Sequence, residues 1–165
     1  MLILSLLGGL LIYLPALAAN GGPTFVRKGT PIDGGRKLGD GNRVLGDGKT
    51  YEGLLLGLTF GTLLALGEAR FLTSWWVLAG FLESLGALCG DMVGAFAKRR
   101  MGLERGARVP LLDQLDFILG STAALIAFGV RITILQFVFV SLLVIALHVL
   151  TNIAAFKLGI KNVPW

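Results

Sequence analysis

Cysteine, histidine and charged residues are scarce in this sequence, and each shortage excludes a class of protein. The single cysteine, Cys89, excludes an internal disulfide framework and a cysteine-rich zinc site, and we expect it to be a small buried hydrophobe. The single histidine, His148, lies in an apolar stretch, so no loop offers a histidine base. Charged residues make up 15% of the chain and hydrophobic residues 55%, with a mean hydropathy of +0.78. Such a composition does not cover a water-soluble surface.

Five apolar segments account for this composition, over residues 2–19, 54–66, 74–97, 117–130 and 132–156. The first, third and fifth are long enough to cross a hydrocarbon core as helices. The second and fourth span it only if flanking residues such as Tyr51 or residues 111–116 are also helical. The sequence therefore predicts an all-α integral membrane protein with five transmembrane helices, forming a single domain over residues 1–165.

The first segment ends in PALAAN, which is similar to the cleavage site of a secretory signal. However, no basic residue precedes its apolar run, and six lysines or arginines follow before the next segment. Both features are the reverse of a signal peptide. We expect this segment to be retained as the first helix.

The positive charges are concentrated in three parts of the chain. These are a first basic loop (residues 20–52), a second basic loop (residues 98–113) and the tail with Lys157 and Lys161. With five crossings all three lie on one side of the membrane, which leaves only Arg70 and Arg131 on the other. Cytoplasmic loops carry an excess of lysine and arginine. The pattern predicts an outer N-terminus, two cytoplasmic loops, a cytoplasmic tail and a multi-pass protein of the cell membrane.

Four acidic residues lie in or at the ends of apolar segments, where a carboxylate is costly and usually faces a partner or a cavity. Asp91 lies about two helical turns before Lys98, and Asp113 and Asp116 are one turn apart at the start of the fourth segment. The three aspartates predict an oxygen-rich cluster near the inner interface, and such a cluster suits Mg²⁺ bound to phosphates. Glu83 lies deeper and receives no catalytic role.

Simpler interpretations of these residues remain open. Small residues recur beside Asp91 along one stripe of the third segment, which is common where membrane helices pack together. Acids in a first helical turn also stabilise the helix dipole, and cations at a membrane surface often serve only as anchors. The stripe consists of Gly80, Glu83, Ser84, Ala87, Asp91, Gly94 and Ala95.

The stretch LGDGNRVLGDGKTYEG, residues 38–53, ends in Gly-Lys-Thr like a phosphate-binding P-loop. The complete P-loop pattern needs a glycine where this chain has Arg43, and it must follow a strand. Here the loop instead enters an apolar segment. We therefore expect any nucleotide triphosphate bound here to occupy a different kind of site.

Two motifs beside apolar segments carry a family resemblance. GDMVGAFAKRRMGLERGARVPLLDQLDF, residues 90–117, resembles the signature of the CDP-diglyceride synthetases, also called phosphatidate cytidylyltransferases. DGKTYEG, residues 47–53, is similar to that family's S-P-x-K-T-W-E-G. The chain departs from the pattern at Gly94-Ala95, where the family has Glu-Ser, and at Gln114, where it has Arg. Its short length and its PIDGG–LGDGKT loop are similar to the archaeal branch, the CDP-archaeol synthases.

The resemblance implies an Mg²⁺-dependent CTP:lipid-phosphate cytidylyltransferase whose single transmembrane catalytic domain works on the cytoplasmic side. Its substrates would be CTP and the isoprenoid ether lipid 2,3-bis-O-(geranylgeranyl)-sn-glycerol 1-phosphate, and its products CDP-unsaturated archaeol and pyrophosphate. Mn²⁺ is an alternative metal. The question of a homo-oligomer is left open, and no nucleic-acid partner is expected. The implied catalytic residues are Asp91, Asp113, Asp116 and Lys98, with the three aspartates holding the metal. The implied substrate contacts are Lys49, Thr50, Gly46, Gly48 and Arg99.

Other functions compatible with the residues are a phosphatidate cytidylyltransferase acting on diacyl lipid, a small transporter subunit and a non-catalytic anchor. A transporter predicts acids near the membrane midplane, whereas the main acidic group here lies beside the basic loops. A CDP-alcohol phosphotransferase needs a D-G-x-x-A-R run, and the sequence has none.

Overall fold

The computed structural model describes residues 2–104, 106, 107 and 109–158. Over these residues the chain forms five α-helices and no β-strand, which confirms the predicted all-α class. The helices are α1 (Leu2–Gly21), α2 (Tyr51–Glu68), α3 (Trp76–Arg100), α4 (Leu112–Ala127) and α5 (Ile134–Lys157). A short 3₁₀ turn, Gly22–Phe25, follows α1. The second and fourth helices begin at Tyr51 and Leu112, so they do extend beyond their apolar parts, as five crossings require.

Two helical stretches in this part of the chain are long and apolar enough to cross a membrane on their own. They are Leu2–Phe25 and Trp76–Arg100. Ile134–Leu150 is a shorter apolar helix. The predicted tail with Lys161 lies outside the described residues.

The helix starts follow from local sequence. Thr50 precedes α2, and its hydroxyl accepts a hydrogen bond from the Gly53 N–H at 3.1 Å, a standard N-cap. At α5, Thr133 and Gln136 form a reciprocal capping box. Leu111, just before α4, has φ +69° and ψ −45°, close to the strained classic γ-turn. The chain therefore turns sharply where it enters α4.

Small residues allow α2 to approach α1 and α3 closely. Gly53, Gly57, Gly61 and Ala65, each four residues apart, form the buried face of α2. A Cβ added at Gly57 would lie 2.6 Å from the Ala19 carbonyl oxygen, a distance that real Cβ atoms do not reach. Spacing of this kind is the usual way in which membrane helices pack without bulky side chains.

The packing of α3 against α4 also depends on glycines. Gly86, Gly90 and Gly94 face α4, and a Cβ at Gly86 would lie 2.6 Å from the Gly120 carbonyl oxygen. Gly80 and Ser84 instead face α1 and α2. Gly80 packs against Pro15 and Ala65, and Ser84 packs against Pro15 and Gly61. The small residues predicted to form one stripe on α3 therefore lie on two faces of the helix, because α3 packs between two sets of neighbouring helices.

The interior contains one deeply buried acid. Glu83 is fully buried, and its Oε1 accepts a hydrogen bond from the Ala16 N–H at 3.2 Å, next to Pro15 in α1. Cys89, in contrast, is exposed on the outer surface of the helices, so the prediction of a buried cysteine was wrong. It borders the glycine face of α3, where the adjacent helix surface is open to the surroundings of the protein.

Candidate active site

Three helix ends meet at one end of the bundle. The N-termini of α2 and α4 and the C-terminus of α3 come together there, joined by contacts between Lys49 and Asp91 and between Lys98 and Asp113. Helix N-termini carry unpaired N–H groups and partial positive charge, which favour anions. The two basic loops predicted from the sequence therefore lie at the same end.

Lys49 and Asp91 connect the first basic loop to α3. The Lys49 ammonium forms an ion pair with Asp91 Oδ2, and each side chain is about a quarter exposed. The backbone of Lys49 is fixed as well, since its carbonyl accepts from Ile32 N–H at 2.9 Å. The lysine of the Gly-Lys-Thr stretch is thus directed at the aspartate of α3.

Asp116 lies deeper beside the same group. It is only 8% exposed and lies within electrostatic range of Asp91, Lys49 and Lys98. Its Oδ1 accepts from the Phe117 N–H at 2.7 Å, whereas Oδ2 accepts no hydrogen bond from the described residues. A Cβ at Gly94 would overlap this carboxylate. The glycine that replaces the family's glutamate therefore makes room for Asp116.

Asp113 is held differently from the other two aspartates. Its Oδ1 accepts from the Lys98 ammonium at 2.9 Å and its Oδ2 from the Val109 N–H at 3.1 Å. Among the described residues, no three His, Cys, Asp or Glu side chains converge closely enough to hold one metal ion. The predicted three-carboxylate cluster is thus absent from this conformation, because both oxygens of Asp113 are engaged by its neighbours.

Asp33 organises the first basic loop. Its carboxylate accepts two hydrogen bonds from the Arg43 guanidinium, at 2.6 and 3.2 Å, and others from the N–H groups of Leu45, Gly46 and Gly35. The Arg43 guanidinium and these backbone donors hold the pKa of Asp33 well below its usual range. Burial acts in the opposite direction but is outweighed. This role of Asp33 was not predicted from the sequence, since all its partners follow it in a segment with no regular period. The signal was the Pro-Ile-Asp-Gly-Gly run, whose Gly34 and Gly35 both have positive φ.

Of the substrate contacts predicted in the first basic loop, Gly46 and Thr50 are engaged in local hydrogen bonds, in addition to Lys49, which is paired with Asp91. Gly46 has φ +95°, lies against the Arg99 guanidinium, and donates its N–H to Asp33. Thr50 is buried and caps α2 with its hydroxyl. Gly48 is exposed beside Lys49. Nucleotide contacts by these residues stay a prediction, and Gly48 and Lys49 are the most accessible of the group.

The last turn of α3 ties the loops together. Arg99 donates to the carbonyl oxygens of Leu45 and Leu103. Arg100 pairs with Asp40, donates to two further loop carbonyls and lies over the Phe96 ring at 5.2 Å. Both arginines fix the first basic loop on α3.

Two cavities share the Gly48–Thr50 segment as a wall. The first lies toward the helices and is lined by Lys49, Asp91 and the apolar side chains of Leu54, Leu88 and Met92. Its volume of about 20 Å³ has room for roughly one water molecule. The second opens toward the loop, with a volume of about 370 Å³. Its lining includes Arg27 and Lys28.

Comparisons with known proteins agree with the resemblance seen in the motifs. A family model described as CarS-like CDP-archaeol synthase matches residues 1–165. The chain belongs to the CDP-archaeol synthase family. A CDP-archaeol synthase from Sulfolobus acidocaldarius is 63% identical over 162 residues, covering 98% of this chain and 99% of that protein. One from Sulfurisphaera tokodaii is 52% identical, covering 94% of each chain.

A solved structure has the same fold. It is described as an intramembrane enzyme for archaeal membrane lipids biosynthesis, and it is 43% identical to this chain with a TM-score of 0.86. The match covers 90% of this chain and 94% of that structure. CDP-archaeol synthase membership thus extends over nearly the whole chain, including the apolar helices that sequence motifs alone do not distinguish.

Proposed function

We propose that this protein is a CDP-archaeol synthase. It transfers CMP from CTP to 2,3-bis-O-(geranylgeranyl)-sn-glycerol 1-phosphate and releases pyrophosphate, in the biosynthesis of ether phospholipids. The observation that carries the proposal is the charged group formed by Lys49, Asp91, Asp116 and Lys98 at one end of the helices. Acids and cations together, without histidine or cysteine, suit chemistry on phosphates.

The reaction needs little acid–base help from the protein. A phosphate monoester has a second pKa near 6, so the lipid phosphate is largely dianionic at neutral pH. One of its oxygens attacks the α-phosphorus of CTP, the bond to the β-phosphate oxygen breaks, and pyrophosphate leaves. The remaining tasks are to align the two anions and to neutralise their charge, as in other phosphoryl transfers.

The residues present fit a divalent cation through two carboxylates. Asp116 Oδ2 and the Asp91 oxygen that does not face Lys49 accept no hydrogen bond from the described residues. Mg²⁺ typically takes one or two carboxylates plus waters and substrate phosphates. Asp91 and Asp116 would hold Mg²⁺, or Mn²⁺ in its place, where it would offset charge on the triphosphate. Asp113 acts in this proposal by positioning Lys98 rather than as a direct ligand.

The two lysines would change partners when substrates bind. Lys49 and Lys98 are each paired with an aspartate here. A phosphate oxygen is a strong acceptor for an ammonium group. Lys49 is placed to exchange Asp91 for a phosphate of CTP or of the lipid, which would also free Asp91. Arg99 holds the loop against α3 and acts on the nucleotide mainly through Leu45 and Gly46.

The lipid would approach from the bilayer between α2 and α3. The narrow cavity there has Lys49 and Asp91 at one end and Leu54, Leu88 and Met92 along its wall. A lipid phosphate suits the polar end, while isoprenoid chains suit the apolar wall and the surrounding membrane. Because the cavity has room for only about one water, α2 and α3 must separate slightly at this end to admit the headgroup.

The proposal includes five membrane crossings with an outer N-terminus. The charge distribution supports this orientation, since thirteen of the fifteen lysines and arginines lie in the two basic loops and the tail. Its active side would be cytoplasmic, where CTP is present.

The experiment that tests the function uses purified protein, Mg²⁺, the ether lipid phosphate and CTP labelled at either the α- or the γ-phosphate. Cytidylyl transfer places the α-label in the lipid and the γ-label in pyrophosphate. A γ-label in the lipid would indicate a kinase, and no label in the lipid would refute the function. A parallel reaction with diacyl phosphatidate measures the preference between ether and ester lipids. Vesicles loaded with ions test the transporter alternative.

A further inference from the structure

The charged group at the active site does not carry enough positive charge to hold a triphosphate. Its two lysines, Lys49 and Lys98, and three aspartates, Asp91, Asp113 and Asp116, give a formal net charge of −1 when all are ionised. One divalent cation raises this only to +1, whereas CTP carries about four negative charges and the lipid phosphate about two. Further cations must therefore contact the nucleotide.

Most other cations near the site already have partners. Arg43 pairs with Asp33 and Asp47, Arg100 pairs with Asp40, and Arg99 donates to two carbonyl oxygens. Four cations of the first basic loop form no ion pair with any residue that the structure describes. They occur as two matched dipeptides, Arg27-Lys28 and Arg36-Lys37.

The first dipeptide lies on a cavity that touches the Gly-Lys-Thr segment. The cavity of about 370 Å³ is lined by Arg27, Lys28, Gly48 and Thr50, and also by Asp47, whose carboxylate is paired with Arg43. Lys37 instead borders a separate cavity whose two arginines, Arg43 and Arg99, are engaged. Arg27 and Lys28 are both exposed, so their side chains are free to reach an anion.

The wide cavity shares a wall with the narrow cavity that we propose for the lipid phosphate. Gly48 and Thr50 line both the narrow, apolar cavity next to Asp91 and the wide, basic cavity next to Arg27. In a phosphoryl transfer the attacking and leaving oxygens lie roughly in line on opposite sides of the phosphorus. If the α-phosphate lies at Gly48 and Lys49, a lipid phosphate in the narrow cavity would be in line with a leaving group in the wide one.

We propose that Arg27 and Lys28 form a pyrophosphate subsite that holds the β- and γ-phosphates of CTP and releases them after transfer. The proposal rests on the proposed function and adds binding residues that neither family motif includes. No bond is made or broken in this subsite. Its cations bind the two phosphates that become the leaving group and stabilise the charge that develops on them.

The test compares two double variants with the same loss of charge, Arg27→Ala/Lys28→Ala and Arg36→Ala/Lys37→Ala. Calorimetry measures the binding of Mg²⁺-pyrophosphate and of CMP to each purified protein, and steady-state assays give KM for CTP and for the lipid. We expect the first variant to bind pyrophosphate at least about tenfold more weakly and to raise KM for CTP similarly. Its affinity for CMP and its KM for the lipid should stay within about twofold of the wild-type values. All values for the second variant should also stay within about twofold of wild type.

Several results would overturn the subsite. Unchanged pyrophosphate binding in Arg27→Ala/Lys28→Ala would refute it, and so would an equal loss in both double variants, which would indicate general electrostatic attraction. A rise confined to KM for the lipid would assign the cavity to the lipid headgroup instead. CMP binding confirms that a variant is folded, and Arg27→Lys/Lys28→Arg should retain pyrophosphate binding. If the wild-type protein forms no CDP-lipid, the proposed function fails, whatever the pyrophosphate result.

Discussion

Lys49, near the end of the first basic loop, and Asp91, in α3, form an ion pair that joins the loop to the helices. Both side chains are about a quarter exposed, so the pair contributes little to stability. The pair matters for position, because it places a lysine, which can bind phosphate, next to an aspartate, which can bind a metal ion. Function, more than folding, should depend on it.

We expect Asp91→Asn to reduce kcat/KM for CTP by on the order of a hundredfold or more, as for loss of other charge-stabilising groups. The asparagine keeps the shape but loses the negative charge that would hold a metal-bound nucleotide. Activity assays and thermal melting in detergent check this, and the melting temperature should change little. Glu104→Gln is the control, since Glu104 is exposed and forms no ion pair with any residue that the structure describes. Similar activity in both variants would contradict the role of Asp91.

Gly94→Ala should displace the Asp116 carboxylate. The added Cβ would overlap that carboxylate, and forced overpacking typically costs about 1–3 kcal/mol. We expect a lower melting temperature and at least a tenfold loss of activity. Gly67→Ala is the matched control: Gly67 lies in α2 with no atom within 4 Å of an added Cβ. Alanine there should be neutral or slightly stabilising, and a harmless Gly94→Ala would show that Asp116 has room to move.

The Asp33 carboxylate should make the first basic loop sensitive to acid. Arg43 and the backbone donors lower its pKa, so it contributes stability above the ordinary carboxyl pKa of about 3.9 and loses it as the pH falls toward the lower folded-state pKa. Hydrogen exchange of the Leu45 and Gly46 amides, corrected for intrinsic pH dependence, checks this. We expect protection at pH 5 to 7 that is lost in strong acid. Asp33→Asn should lose the protection at every pH, whereas Asp47→Asn should keep it.

Glu83 should be replaceable by glutamine but not by leucine. Glutamine keeps an oxygen that accepts from the Ala16 N–H, whereas leucine leaves this buried donor unpaired, at a cost of about 1–3 kcal/mol. Thermal melting of the two variants checks the difference, with exposed Glu104→Gln as a control. Equal stability of the glutamine and leucine variants would show that the hydrogen bond is unimportant.

The sequence predicted the helices better than it predicted the loops. Apolar run lengths and the marginal second and fourth segments were enough to identify five helices, and Tyr51 and Leu112 begin two of them as required. Proximity of Asp91 to Asp116 was also predicted, since the sequence places both near the same end of the helices. Asp33 was missed because its partners depend on loop conformation, which leaves no periodic signal.

The expected metal cluster was only partly predictable for a similar reason. Asp113 and Asp116 are one turn apart and both face α3, as their spacing indicates. Spacing does not reveal that Val109 N–H and Lys98 occupy both oxygens of Asp113. The side of α3 that faces each neighbour was also ambiguous, because small residues occur on two of its faces.

Binding of Mn²⁺ together with CTP, measured by electron paramagnetic resonance, tests whether Asp91 and Asp116 hold the metal ion. It compares wild-type protein with Asp91→Asn, Asp116→Asn and Asp113→Asn, in the absence of the lipid. We expect nucleotide-dependent Mn²⁺ binding to be lost in the Asp91 and Asp116 variants and largely retained in the Asp113 variant. Undiminished Mn²⁺ binding in both Asp91→Asn and Asp116→Asn would contradict this expectation.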